Sequence, residues 1–210
     1  MTPEETAALF TGADGAYRFA RWARPVVPVA FGVDDATLAV LHAAMHRATD
    51  MAGLAMAGTD SELGANLMLF FFRDWAELLD VPDLGEMLDD LPALVARLTA
   101  QGAQTYRRFR FDKSGAIRAC FSFIRMSGPL ADIPADALAA HEALAMLLTW
   151  AEVPPLEHDG AGAIGPSPQI ARLIRAAYDP ALPDAAEDAA HALRLWARAE
   201  AGHGQTTEGS

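Results

Sequence analysis

The sequence predicts an α+β fold, on three observations. Residues 105–111 and 116–124 are rich in aromatic and β-branched side chains and flank Asp112-Lys113-Ser114-Gly115, the pattern of a β-hairpin with a four-residue loop. Residues 66–72 are almost continuously apolar, which suits a strand covered on both faces. Leu38, Leu41, Met45, Ala48 and Met51 or Ala52 recur at helical spacing, so a long amphipathic helix runs from a cap at Asp34 or Asp35 to about Met56.

The other elements follow along the chain. Thr2 and Glu5 form a capping box with Pro3 at the first helical position, so a short helix covers residues 3–10. A turn at residues 11–15 leads to a strand over 17–22. A second strand over 24–31 is placed at an edge or a bulge by Pro25 and Pro28. A helical turn over 74–79 and a helix over 92–99, with Pro92 in its first turn, precede the hairpin. After the hairpin come an apolar helix over 136–153, a Gly/Pro-rich loop over 154–168, a helix over 169–178 stopped by Asp179-Pro180, and an amphipathic helix over 184–201. Residues 202–210 are polar and read as a disordered tail. The expected organisation is one α+β domain over 1–201, with the sheet and central helices in 17–153 and a helical C-terminal part in 154–201.

Composition narrows the classes of function. At 210 residues and 52% hydrophobic the chain has material for a real core, because a chain of this length buries roughly 70% of its unfolded surface. A formal charge of −12 argues against nucleic acid and against anionic membrane surfaces as partners. Cys120 is the single cysteine, so no intramolecular disulfide can form. The N-terminus lacks the basic and apolar regions of a signal peptide, and no apolar run approaches the ~20 residues that span a bilayer. A cytoplasmic location is expected.

Candidate chemistry centres on His141-Glu142, in the helix expected over 136–153. This is half of H-E-x-x-H, in which two histidines one turn apart hold zinc and the glutamate polarises the metal-bound water. Ala145 stands where the second histidine belongs. Glu142 is the candidate general base, and His158 and His191 are the candidate helpers from elsewhere in the chain. His42 and His46, also at i and i+4, and His141 are the candidate metal ligands, set against the reading that His42 and His46 are simply exposed. No cofactor is expected; zinc is the metal such a site would take. Strand alternation puts Phe109 and Phe111 opposite Ile117, Ala119, Phe121 and Phe123. It puts Tyr106, Arg108 and Arg110, with Arg118, Cys120 and Ser122, on the other face, as a cleft wall that could hold an anion or as a solvent side. A strand-centre cysteine reads as a wall residue rather than a nucleophile. The acidic stretch from Asp74 to Asp90 reads as a solvated face or as a cation or partner surface. No G-x-S-x-G elbow, P-loop or G-x-G-x-x-G is present.

The order of strand, long helix, apolar strand, hairpin and His-Glu helix resembles the N-terminal half of a zincin. Arg21-Trp22-Ala23-Arg24-Pro25-Val26-Val27-Pro28-Val29, Ala65-Asn66-Leu67, the strand through Cys120, the helix around Glu142 and the block from Leu173 to Pro183 resemble an uncharacterised bacterial domain family with a degenerate zincin-like metalloprotease fold. That resemblance spans about residues 17–195 and implies a fold but no established reaction. Members of that family carry an acidic pair and a following Gln on the central helix and are exported, whereas this chain has His141-Glu142 with Ala145. Three functions are carried forward. The first is a non-catalytic zincin-like binding or accessory protein, a pseudoenzyme that takes a protein or peptide. The second is a metal-dependent hydrolase using Glu142. The third is a self-associating structural domain presenting Trp150, Leu195 and Trp196.

Overall fold

The chain is described here from a computed structural model that covers residues 1–58, 64–158 and 162–204. Helix α1 (Pro3–Ala8) opens with the expected capping box: the Glu5 amide donates to the Thr2 hydroxyl at 3.2 Å and the Thr2 amide donates to the Glu5 carboxylate at 2.8 Å. Strand β1 (Phe19–Ala20) is shorter than expected, and β2 (Pro28–Phe31) begins at the second proline. Helix α2 (Asp35–Ala52) is capped by Asp34 and stops at Gly53, whose φ of 68° is left-handed. Strand β3 (Leu67–Phe72) is followed by a 3-10 turn (Trp75–Asp80), the four-residue α3 (Leu84–Met87) and α4 (Leu91–Ala100). The hairpin is β4 (Thr105–Phe111) and β5 (Ile117–Arg125). A second 3-10 turn (Gly128–Asp132) leads to α5 (Ala135–Ala145), then β6 (Leu156–His158) and β7 (Ile164–Pro166), α6 (Pro168–Ala177), β8 (Ala185–Ala186) and α7 (Ala190–Gly204).

Four strands form the central mixed sheet in the order β2-β3-β5-β4. β2, β3 and β5 are parallel, while β4 is antiparallel to β5 and lies at an edge. The fold is therefore α+β, and β2 is an edge strand, as Pro25 and Pro28 require. Alternation along β3 sends Leu67, Leu69 and Phe71 to a core built with α2 and α5. It sends Phe72 to a second core built from Trp75, Leu78 and the apolar faces of α3 and α4. A sheet covered on both faces explains why β3 reads as a continuous apolar run. Rings from all four strands stack across the second face. Phe31 meets Phe70 and Phe70 meets Phe123, each at 5.0 Å between centroids, and Tyr106 meets Phe123 at 6.1 Å.

Four expectations need correction. The helix carrying His141-Glu142 ends at Ala145 rather than near 153, and side chains take the carbonyls at and just past its end, which a longer helix would use itself. The Trp22 indole donates to Met146 O, the Trp150 indole to Leu144 O and the Tyr178 hydroxyl to Leu147 O. The loop expected over 154–168 contains the β6–β7 pair. The final helix starts at Ala190, because residues 185–186 pair with Phe19–Ala20 instead. In the expected tail, residues 202–204 continue α7, and 205–210 lie outside the described residues. Among the described residues no helix is long and apolar enough to cross a membrane.

Candidate functional site

Glu142 is fully buried beneath the hairpin, the only buried carboxylate among the described residues. A carboxylate there must be paired or it neutralises. The partner is Arg107, on the inward face of β4, whose Nη2 donates to Oε2 at 2.9 Å and to Oε1 at 3.1 Å. Ser122, opposite Arg107 on β5, donates its hydroxyl to Oε2 at 2.7 Å. His141 Nδ1 lies 3.4 Å from Oε1, at the open end of the cluster, with a side chain 40% exposed. Burial pushes the Glu142 carboxyl up; the Arg107 charge, with His141 and Ser122, outweighs it and holds the group at about 2. At neutral pH the carboxylate is a pinned anion with little affinity for a proton.

Sequence reasoning missed Arg107 and Ser122. The signal was present: a glutamate in an apolar helix face needs a cation, and among the hairpin arginines only Arg107 shares its strand parity with Phe109.

Cys120 pairs with Phe109, not with an arginine, and is buried on the same sheet face as Arg107. Burial pushes its thiol up to about 12, against the opposing pull of Arg107. Burial and the raised pKa leave the thiol protonated and out of reach at physiological pH, unlike a thiolate nucleophile. Arg108 and Arg110 project from the other side of β4. Arg108 bonds Asp89 at 2.9 Å, tying part of the acidic stretch to the sheet, and Arg110 is exposed. Arg118 is the extra residue of a β-bulge between the Arg110 and Phe111 pairs and is also exposed. The bulge overturns the expected facing. One additional residue flips every side chain beyond it, so Phe109 joins Cys120 and Ser122 rather than Ala119 and Phe121. The three arginines and Cys120 do not line one cleft wall.

The other candidates lie apart from this cluster. His42 and His46 are exposed on α2, and His158 is exposed on β6. His191 is buried, 2.8 Å from the Tyr17 hydroxyl through Nδ1 and packed on Phe19. Burial and the nearby Arg194 and Arg21 charges lower its pKa to about 4. Leu195 is buried, Trp150 stacks on Phe10 at 5.1 Å and Trp196 donates to Met1 O at 2.8 Å. Those three residues are used inside the fold and do not form an exposed apolar face. Among the described residues no three His, Cys, Asp or Glu side chains are grouped to hold a metal ion. The residues around Glu142 do not fit zinc: a guanidinium occupies both carboxylate oxygens and a buried Ala145 takes the second histidine's place.

No family model, curated protein or solved structure matches the chain.

The reverse side of α5 carries a different feature. A cavity of about 490 Å³ opens between α2, α5, the β6–β7 pair and the start of α6. Ala48, Met51, Ala143 and Leu144 form its apolar wall, and Arg47 and His158 stand among its polar residues. The cavity exists because alanines face one another where α2 crosses α5. Its volume falls within the roughly 300–1,000 Å³ of small-ligand sites.

Proposed function

We propose that this protein is a non-catalytic, zincin-like binding protein in which the glutamate of the half-motif serves as a structural strut. The observation that carries this reading is the Arg107–Glu142 pair. A general base works best with a pKa near the operating pH and a free lone pair aimed at substrate. Glu142 has neither: it is held at about 2, and both oxygens already accept bonds from Arg107 and Ser122. The zincin-like part of the reading is supported by the order of the antiparallel edge hairpin followed by the helix that carries His141-Glu142 beneath it.

Binding is assigned to the cavity on the reverse side of α5, where an apolar side chain of a peptide or protein partner would be received. The test is selection of a randomised peptide library on the immobilised protein, followed by affinity measurements on the enriched peptides. Ala171→Trp, placed at the cavity wall on α6 where the residue is half-buried, fills the space. The expected result is enrichment of peptides with an apolar anchor, loss of their affinity in the Ala171→Trp protein at unchanged Tm, and no cleavage with or without added zinc. Cleavage that disappears in Glu142→Gln would overturn the non-catalytic reading. Failure to enrich any sequence would overturn the binding reading.

A further inference from the structure

The seam between α6 and α7 gathers positive charge that neither the acidic composition nor the Glu142 cluster explains. Arg172 and Arg175 rise from α6, and Arg198 reaches across from α7, around a cavity of about 260 Å³ floored by small residues such as Ala176 and Ala199. Asp179, just beyond α6, is the one carboxylate in the lining among the described residues. It is already engaged, because Arg198 donates Nε to Oδ2 at 2.6 Å and the Ala181 amide donates to Oδ1 at 2.8 Å. Arg172 and Arg175 make no ion pair among the described residues. The Nε of Arg172 is buried with no acceptor among the described residues, so the charge of this guanidinium is not offset from within the fold. Three guanidinium groups against one carboxylate leave two positive charges, which exceed the about half negative charge that each of the two neighbouring helix C-termini contributes. On a chain of net charge −12 this is a local inversion of sign.

We propose that this seam is a binding site for a small oxyanion, either inorganic phosphate or a small phosphate monoester, held by Arg172 and Arg175 with Arg198 at its side. The planar guanidinium fork matches phosphate geometry and supplies paired charge-assisted hydrogen bonds. The volume lies below the roughly 300–1,000 Å³ of drug-sized sites, which favours a phosphate with a small substituent over a nucleotide. The ligand takes the outer nitrogens of the guanidinium groups and bridges α6 to α7.

Calorimetric titration and thermal melts of the full chain test this. Inorganic phosphate, glycerol phosphate and adenosine monophosphate are each added at an ionic strength held constant with sodium chloride. The expected result is saturable heat and a saturable rise in Tm with phosphate or glycerol phosphate, and weaker binding of the nucleotide. Arg175 is exposed, so Arg175→Gln retains the fold, shown by an unchanged Tm without phosphate. Its affinity for phosphate falls about tenfold or more, the loss expected for one charge-assisted contact. Arg172→Gln abolishes binding, while Arg47→Gln at the other cavity leaves it intact. Absence of saturable binding by both small phosphates, or wild-type affinity in Arg175→Gln, would overturn the proposal.

Discussion

Arg107 and Glu142 join the edge of the sheet to the helix beneath it, with one guanidinium nitrogen 2.9 and 3.1 Å from the two carboxylate oxygens. Glu142 is fully buried and Arg107 largely so, and Ser122 and His141 carry no full opposing charge at neutral pH, so each charge depends chiefly on the other. Removing one partner leaves the other buried and uncompensated. Arg107→Leu is expected to cost about 3–5 kcal/mol of stability, and Glu142→Leu a comparable amount. The double replacement by leucine should be much less harmful than the sum of the two, since it removes both desolvated charges. Denaturant unfolding of the four proteins measures the coupling; strict additivity would show that the pair is not energetically linked.

The same pair sets one part of the pH dependence. Glu142 is held at about 2 in the folded protein, below its ordinary value of 4.5. A lowered carboxyl pKa contributes stability that is full above the ordinary value and is lost as pH falls towards the folded value. His191 acts in a higher window. Its folded pKa is about 4 against an ordinary 6.5, so the unfolded chain takes up the proton first and stability declines as pH falls from 6.5 to 4. Unfolding free energy measured across acid pH should fall in two stages. His191→Gln should remove the first stage and leave the second, and an unchanged profile in that variant would exclude His191 as its source.

The legibility of the sequence differed between local and long-range features. The hairpin, the α2 stripe with its Asp34 cap, and the doubly covered β3 were readable because each is written in neighbouring residues. The facing of the hairpin strands was not. From the turn, alternation pairs Phe111 with Ile117 and would carry on to Phe109 with Ala119. The bulge at Arg118 adds one residue, so Phe109 pairs with Cys120 and Arg107 with Ser122. That single residue hid the cluster around Glu142. The end of α5 was hidden for a related reason: the donors that take the carbonyls just past it, Trp22 and Tyr178, come from positions 124 and 31 residues away in sequence. The proline-marked edge at β2 was readable, because a missing N–H excludes a central strand wherever it falls.

Cys120 should be inert in the folded state. Its thiol is buried and its pKa is pushed up to about 12, so thiolate is scarce and inaccessible at neutral pH. An aromatic disulfide reagent added in large excess at pH 7 should label the native protein only as fast as it opens, and label the denatured protein at the rate of a free thiol. Rapid labelling of native protein would contradict the placement of Cys120 against Phe109.

Two glycines separate conformational strain from close approach. Gly32 and Gly53 both have left-handed φ, at 81° and 68°. At Gly53 an added Cβ meets open space, so Gly53→Ala costs only the backbone conformation, about 1 kcal/mol. At Gly32 the added Cβ would collide with the Phe71 carbonyl oxygen, which belongs to β3 beside the end of β2. That oxygen is fixed by the sheet and cannot rotate away as a side chain could. Gly32→Ala must therefore displace the β2–β3 junction as well as adopt the strained φ, and it should lower stability by about 2–4 kcal/mol, several times the effect at Gly53. Chemical denaturation of both variants decides the matter: equal losses would mean that the approach of Gly32 to Phe71 contributes nothing beyond the backbone angle.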